Sequence, residues 1–331
     1  MTTQFKSLIQ VLDFFKEEQT CINYLAAQRW GETPCCPHCG NTKAWKTNRG
    51  YTCAAKECGK KFSVTTGTIF ENTKLSLRLW FATIYICTAH KKGISSLQLS
   101  RDLNITQKTA WFLLHRVREM LANNAPQMLE NNVEIDETYV GGKNKNRHAS
   151  KKIEGSQGRS SQDKTPVLGI AQKQIVQYVE RDHKIIKGRK VIEKVIIQSS
   201  LVSCTVVKDT QAETIVPIML SQVTPNSKVV TDAYRAYSNL AANYQHVSIK
   251  HTDGNYITIG DNHTNTIEGF WSLLKRGIIG IYHQVSPKHL HRYCNEFTFR
   301  YNSRLVKDVV RFEDAFKLVN NVRLTYTNLI A

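Results

Sequence analysis

Val133-Glu134-Ile135-Asp136-Glu137-Thr138 decides the fold, because it reads as a strand whose apolar pattern is broken by carboxylates. Side chains alternate along a strand, so Glu134 shares a face with Asp136 while Glu137 points to the other. Glu134 is therefore the auxiliary acid expected beside Asp136. A second apolar strand, Lys228-Val229-Val230-Thr231, runs directly into Asp232. Further on, Asn265-Thr266-Ile267-Glu268-Gly269-Phe270-Trp271-Ser272-Leu273-Leu274-Lys275-Arg276-Gly277 is helical in character. Lys275 stands two turns beyond Glu268 and shares its face. With Val195-Ile196-Ile197 as another β-branched run, strands alternating with helices signal an α/β domain.

Taken singly, an Asp after a strand usually caps a turn, and a helical Glu with a Lys two turns on usually faces solvent. The ordered set of strand Asp, strand Asp and helix Glu in one basic domain is far more specific. Three carboxylates converge only if cations offset their repulsion. Two divalent ions about 3.5–4 Å apart would do so and would also clamp both sides of an in-line phosphoryl displacement. Mg²⁺ suits such hard oxygen ligands, with Mn²⁺ the alternative ion.

Upstream, Cys36-Pro37-His38-Cys39-Gly40 and Cys53-Ala54-Ala55-Lys56-Glu57-Cys58-Gly59 form a C-x2-C and C-x4-C pair with 13 residues between. Two thiolate pairs on tight turns supply the four tetrahedral ligands of one structural Zn²⁺. Gly40 and Gly59 let the backbone turn back towards the metal. Cys35 could replace Cys36, although the C-P-x-C-G register favours Cys36. The remaining cysteines, Cys21, Cys87, Cys204 and Cys294, are scattered, which excludes a secreted disulfide scaffold and implies a reducing compartment. Lys43, Lys46, Arg49, Lys56, Lys60 and Lys61, with Trp45 and Tyr51 among them, suit the ribbon to phosphate contacts.

Between ribbon and strands lies a helix-turn-helix candidate. Gly93-Ile94-Ser95-Ser96 opens a helix carrying Leu97, Leu99 and Leu103, Asn104-Ile105-Thr106 makes the turn, and Gln107 to Leu121 forms the second helix. Trp111, Leu114, Val117 and Leu121 would face inward. That leaves Gln107, Lys108 and Thr109 where a recognition helix meets base edges. Breakers at Asn123-Asn124-Ala125-Pro126 set the main boundary. The expected organisation is an N-terminal helical segment over 1–33, a zinc ribbon over 34–70, a helix-turn-helix DNA-binding region over 71–125, and a catalytic domain with C-terminal helices over 126–331. Lys143 to Lys164 holds seven basic residues and reads as a mobile loop, with Lys143 and Lys145 placed to reach DNA. Arg292, Arg300 and Arg304, on an aromatic helix near the C-terminus, are further cations available to DNA.

The whole chain has 331 residues, 45 basic against 27 acidic, a balance of +18. Residues 1–125 hold 17 basic and 8 acidic residues (+9), leaving 28 and 19 (+9) for the rest, so both halves would touch a polyanion. A hydrophobic content of 41% excludes a largely disordered chain. The longest apolar run, Leu79 to Ala89, is too short to span a bilayer, so a cytoplasmic protein with no membrane partner is expected.

At these residues the sequence resembles the zinc-ribbon DDE transposases of bacterial insertion sequences. The resemblance runs through the Cys36–Cys58 ribbon, Phe62-Ser63-Val64-Thr65-Thr66-Gly67-Thr68-Ile69-Phe70, Asp136-Glu137-Thr138-Tyr139-Val140-Gly141-Gly142-Lys143, Thr231-Asp232-Ala233-Tyr234 and His263-Thr264-Asn265-Thr266-Ile267-Glu268-Gly269-Phe270-Trp271. It implies a multidomain α/β protein whose catalytic domain is an RNase H-like mixed sheet. The implied reaction is Mg²⁺-dependent hydrolysis of a phosphodiester at the transposon end, then strand transfer into target double-stranded DNA. Asp136 and Asp232 match the first two acids, and Lys275 would steady a phosphate. Related enzymes carry Asn as well as Glu at a third position. Glu268 is assigned here by its spacing, with 35 residues between it and Asp232, and by its Lys275 partner, with Asn265 as the alternative. A homo-oligomer, dimer or higher, is implied because two ends must be joined. The rival reading is a non-catalytic zinc-ribbon and helix-turn-helix DNA-binding protein, either a transcription factor or an inactive domesticated transposase.

Overall fold

The computed structural model describes residues 5–124, 128–142, 148–152, 164–183, 185–186, 188–249 and 262–331. Two compact units emerge, one of Met1–Asn124 with Ser303–Ala331, the other of Ala125–Asn302. The first holds α1 (Leu8–Phe14), α2 (Glu18–Trp30), β1 (Ala44–Thr47), β2 (Gly50–Cys53), β3 (Lys61–Phe62), α3 (Leu77–Ala89), α4 (Ser96–Leu103) and α5 (Gln107–Leu121). The second holds β4 (Asn132–Val140), β5 (Thr165–Gln172), β6 (Ile175–Asp182), β7 (Lys190–Gln198), β8 (Leu201–Val206), α6 (Ala212–Gln222), β9 (Lys228–Asp232), β10 (Gln245–Ile249), α7 (Asn265–Gly277) and α8 (Leu290–Asn302). The chain then adds α9 (Asp308–Phe316) and α10 (Tyr326–Ile330) to the first unit.

In the first unit, ten of the thirteen residues of α3 are buried, as expected of a helix packed on every side. The run Leu79–Ala89 is thus a core helix. Its Phe81 meets Phe15 at 4.7 Å and Phe316 at 4.7 Å between ring centroids, so α9 completes an aromatic core begun at the N-terminus. Buried Arg311 donates to the Thr88 carbonyl at 3.2 Å and pairs with Asp308 at 2.8 Å. The expected domain over 126–331 is therefore divided, because the apolar face of α9 finds its partners on α3. Ser76, Ser95 and Thr106 accept hydrogen bonds from backbone N–H groups in the first turns of α3, α4 and α5. Asn104, in the left-handed conformation at φ 51°, ends α4 and opens the short turn to α5. Leu114, Val117 and Leu121 are buried as expected while Trp111 is only half-buried, and on α4 Leu99 is buried whereas Leu97 is exposed.

The second unit is built on a five-stranded sheet in the order β10-β9-β4-β5-β8. β10, β9 and β4 run parallel; β5 and β8 continue antiparallel. Val133, Ile135, Leu168 and Ile170 pack with Ile215 and Met219 of α6 on one face. Val167 and Ala171 pack with Ile267, Phe270, Trp271 and Leu274 of α7 and with Phe297 of α8 in the other cluster. Strand alternation then turns Glu134 and Asp136 towards α7, the face inferred from the sequence.

Candidate active site and metal centre

The cysteine quartet is a local construction. The ligand sulfurs of Cys36, Cys39, Cys53 and Cys58 all lie within 4.8 Å of one another, with Cys36–Cys58 at 3.9 Å and Cys39–Cys53 at 3.5 Å. Zn–S bonds of about 2.3 Å in a tetrahedron require sulfurs about 3.8 Å apart, so the residues fit zinc. Gly40 and Gly59 adopt φ of 75° and 52°, and their N–H groups bond the Cys36 and Ala55 carbonyls at 2.8 and 2.9 Å. Cys35 lies outside the quartet, its thiol against the Gly40 carbonyl at 3.4 Å. The ribbon's small core is aromatic: Tyr51 stacks on Phe62 at 5.5 Å and Trp30 closes over both. Tyr51 is therefore a packing residue, while Trp45 stays 68% exposed.

Lys43, Lys46, Arg49, Lys60 and Lys61 are all exposed on this ribbon, and Arg49 and Lys61 line a depression of about 630 Å³ with Thr47 and Asn48. On α5, Gln107 donates to the Ser96 hydroxyl at 2.8 Å, Thr109 shares a hydroxyl bond with Thr106 at 2.8 Å, and the Lys108 ammonium sits 4.8 Å from the Tyr326 ring centroid. Lys143 and Lys145 lie outside the described residues. Arg300 is not available to DNA: it is buried and ion-paired with Glu296, which also accepts the Tyr282 hydroxyl at 2.6 Å. Arg292 is buried as well.

The acids are gathered across the chain. β4 and β9 pair in parallel register through Ile135↔Thr231, and one step further come Asp136, in the middle of β4, and Asp232, the last residue of β9. α7 crosses above them and brings Glu268 and Lys275, two turns apart, into the wall of the same cavity. Its volume is about 440 Å³, and Glu137, Thr138, Thr264, Trp271 and Ser272 complete the lining. Glu268 accepts the Thr264 hydroxyl at 2.8 Å, and Asp232 accepts the Tyr234 N–H at 3.0 Å. The Trp271 indole N–H donates to Asp136 Oδ2 at 3.0 Å. Burial, with Asp232 and Glu268 as like-charged neighbours, pushes the Asp136 carboxyl up to about 6. Asn265 is exposed at the first position of α7 and does not line the cavity. Among the described residues the cysteine quartet is the one group of three or more His, Cys, Asp or Glu side chains placed to hold a metal ion.

Three residues here were not anticipated as site residues. Gly169 pairs with Asp136 across β4 and β5, and a Cβ there would collide with the Trp271 ring and lie 2.6 Å from Ile267 Cδ1. A lone glycine inside an apolar strand is the sequence signal of such a close approach. Trp271 falls one turn beyond Ile267 and was legible only as apolar periodicity. Thr264 precedes α7 and carried no signal of its own.

Glu134 shares the face of Asp136 but does another job. Fully buried, it accepts the Thr266 N–H at 2.7 Å, the Ile267 N–H at 3.0 Å and the Thr266 hydroxyl at 2.8 Å, with His263 Nδ1 at 3.2 Å. It caps the N-terminus of α7 from a neighbouring strand, where helix polarity favours an anion. Glu134 thereby holds the helix that presents Glu268 and is not itself a lining acid. Glu137, the next residue of β4, also lines the cavity and accepts the Tyr237 hydroxyl, and its negative charge adds to burial in pushing the phenol's ionisation well up.

No helix among the described residues is long and apolar enough to cross a membrane. Residues 128–302 match the family described as the ISXO2-like transposase domain, and residues 16–61 match the transposase zinc-ribbon domain. An uncharacterized protein in transposable element ISH50 of Halobacterium salinarum is 29% identical over 299 residues, 86% of this chain and 91% of that one. An uncharacterized transposase-like protein of Haemophilus influenzae is 29% identical over 106 residues, 32% of this chain and 84% of that one. A chain from a pre-cleavage Mos1 transpososome aligns over 93% of this chain at 10% identity, but its TM-score of 0.21 carries no weight for the fold.

Proposed function

The chain belongs to the ISXO2-like transposase family, and from that premise we propose that it cuts and joins DNA at the cavity between β4, β9 and α7. The observation that carries this reading is the register of β4 on β9, which sets Asp136 beside Asp232 under Glu268 and Lys275. The strand order, three antiparallel strands extended by two parallel ones, supports reading the domain as RNase H-like.

Asp136, Asp232 and Glu268, hard oxygen donors in a cavity that Glu137 also lines and where Asp136 is held up to about 6, fit divalent cations. Mg²⁺ bound there would polarise the scissile phosphate and lower the pKa of an attacking water or 3′-hydroxyl. Asp136 and Asp232 would share the ions and Glu268 would complete the second position. Trp271 fixes the rotamer of Asp136 through its indole N–H, and Thr264 does the same for Glu268. Lys275 holds a DNA phosphate at the mouth of the cavity. The zinc ribbon and the α4–α5 helix-turn-helix bind the element's ends, with the exposed ribbon cations on phosphates and the first turn of α5 on base edges. Joining two ends calls for at least two copies.

Cleavage of DNA carrying the element's terminal repeats, with Mg²⁺, tests this directly. Asp136→Ala, Asp232→Ala and Glu268→Ala should abolish cutting while binding persists, and Asn265→Ala should cut as the wild type does. Undiminished cutting by the three acid variants would end the proposal. Loss at Asn265 with retention at Glu268 would move the third ligand to Asn265.

A further inference from the structure

The zinc ribbon is a three-stranded sheet in the order β1-β2-β3, and its register separates a covered side from an open one. The pair Tyr51↔Phe62 lies on the side that Trp30 closes. Trp45↔Thr52 and Thr52↔Lys61 lie on the other side, which Thr47, two residues beyond Trp45, also shares. There Trp45 is 68% exposed. Thr47 and Lys61 also line the depression of about 630 Å³ that Asn48 and Arg49 complete, so it opens on the indole's side of the sheet.

The neighbours of the indole decide what it takes. Two hydroxyls, an amide and two cations surround it on this side, none of them apolar. A protein-docking face rings its aromatic anchor with contacts that exclude water, which this set does not supply. Residues 34–63 carry six basic side chains against Glu57, a balance of +5. Four thiolates on one Zn²⁺ leave two negative charges, so the loaded ribbon still stands at about +3 and suits a polyanion. In a duplex both faces of a base are covered by its neighbours. An unpaired base has a face to offer, and stacking on an aromatic side chain beside cations holds single strands with little regard to sequence. We propose that the open side of the ribbon binds an unpaired nucleotide, its base stacked on Trp45 and its flanking phosphates on Arg49 and Lys61. Lys61 stands two strands from Trp45, about 10 Å, within the reach of a phosphate next to the stacked base. The inference rests on the reading of the ribbon as a binder of DNA ends and gives that reading a substrate, a frayed or unpaired end. It does not depend on the acid cavity.

The test uses the zinc-loaded full chain with labelled oligothymidine and a blunt random-sequence duplex of the same length. Wild type should bind the single strand with quenching of tryptophan fluorescence. Trp45→Ala should weaken that binding about tenfold, with duplex affinity changed less than twofold and zinc content unaltered. Trp45→Phe keeps a ring and should retain most of the affinity. A single strand carrying 5-iododeoxyuridine should photocrosslink at Trp45. Single-strand binding that Trp45→Ala leaves intact, an equal loss on strand and duplex, or a crosslink that maps elsewhere overturns the proposal and leaves the ribbon's contact with duplex standing. Arg49→Ala with Lys61→Ala binding both DNAs as the wild type does would take the ribbon off DNA and overturn the end-binding reading as well.

Discussion

The cysteine quartet and the acid cavity each gather side chains that suit a cation, but they are assembled in opposite ways. Four sulfurs come from a segment of 23 residues, Cys36 to Cys58, and the cluster they anchor buries little beyond Cys36, Cys53 and Phe62. The acids are separated by 96 positions from Asp136 to Asp232 and 36 more to Glu268, and they come from the central strand β4, the end of β9 and α7, on a sheet with an extensive aliphatic core. In the ribbon the metal takes the place of a core. In the cavity the core holds like charges near one another at its own cost, and a bound cation relieves them. The ribbon should therefore need zinc to fold, whereas the second unit should fold without magnesium and gain only modestly from it.

The largest expected effect follows from that contrast. Stripping zinc with a chelator, or Cys39→Ser, should remove on the order of 10 kcal/mol from the ribbon and unfold it. Fluorescence of Trp30 and Trp45 should report the loss, with retained β-sheet circular dichroism marking an intact second unit. A ribbon that stays folded without metal would erase the distinction between the two sites.

Gly169→Ala attacks the cavity through its packing. The new Cβ drives against Trp271 and Ile267, so α7 must move off the sheet or the ring must leave Asp136. A loss of about 3 kcal/mol in urea unfolding is expected, together with loss of cleavage. Unchanged stability would mean that α7 is not seated as tightly as its glycine contact requires.

Smaller, and opposite in sign, is the effect of deleting a charge. Asp136 is held up to about 6 by burial and by its acidic neighbours, above its ordinary 3.8. A raised carboxyl contributes stability that is complete below pH 3.8 and lost as pH rises through about 6. Without metal, Asp136→Asn should match wild type near pH 3.5 and exceed it by on the order of 2 kcal/mol above pH 7. Mg²⁺ should narrow the gap at the higher pH only. A gap of equal size at both ends of the range would exclude charge as its cause.

What the sequence disclosed follows the same divide. The quartet was legible because ligand spacing in a short segment leaves few geometries, and the C-P-x-C-G register pointed to Cys36 over Cys35. Asp136 and Asp232 were legible because each interrupts or ends an apolar strand, and Glu268 with Lys275 because helical period links them. The alternation that put Glu134 beside Asp136 was right about the face but silent about the role. Only the arrival of α7 turns that carboxylate into a helix cap. Likewise Arg300 read as a surface cation because the buried Glu296 one turn before it is visible only in the fold. Return of α9 to the first unit depends on Phe312 meeting Phe15 and Phe316 meeting Phe81, 297 and 235 positions apart, contacts that local pattern does not encode.

The smallest effect concerns the ribbon's surface. Lys46 and Arg49 are exposed and reach solvent from β1 and its turn, so neither supports the fold that zinc supports. Replacing either with Ala should leave zinc content and melting unchanged. If each neutralises one phosphate, the slope of log affinity for DNA against log salt should flatten by about 0.9 per substitution, irrespective of DNA sequence. An unaltered slope would move the phosphate contacts to another face. A loss confined to one DNA sequence would make these side chains readers of bases, giving the ribbon a part in specificity that its zinc-held geometry alone does not imply.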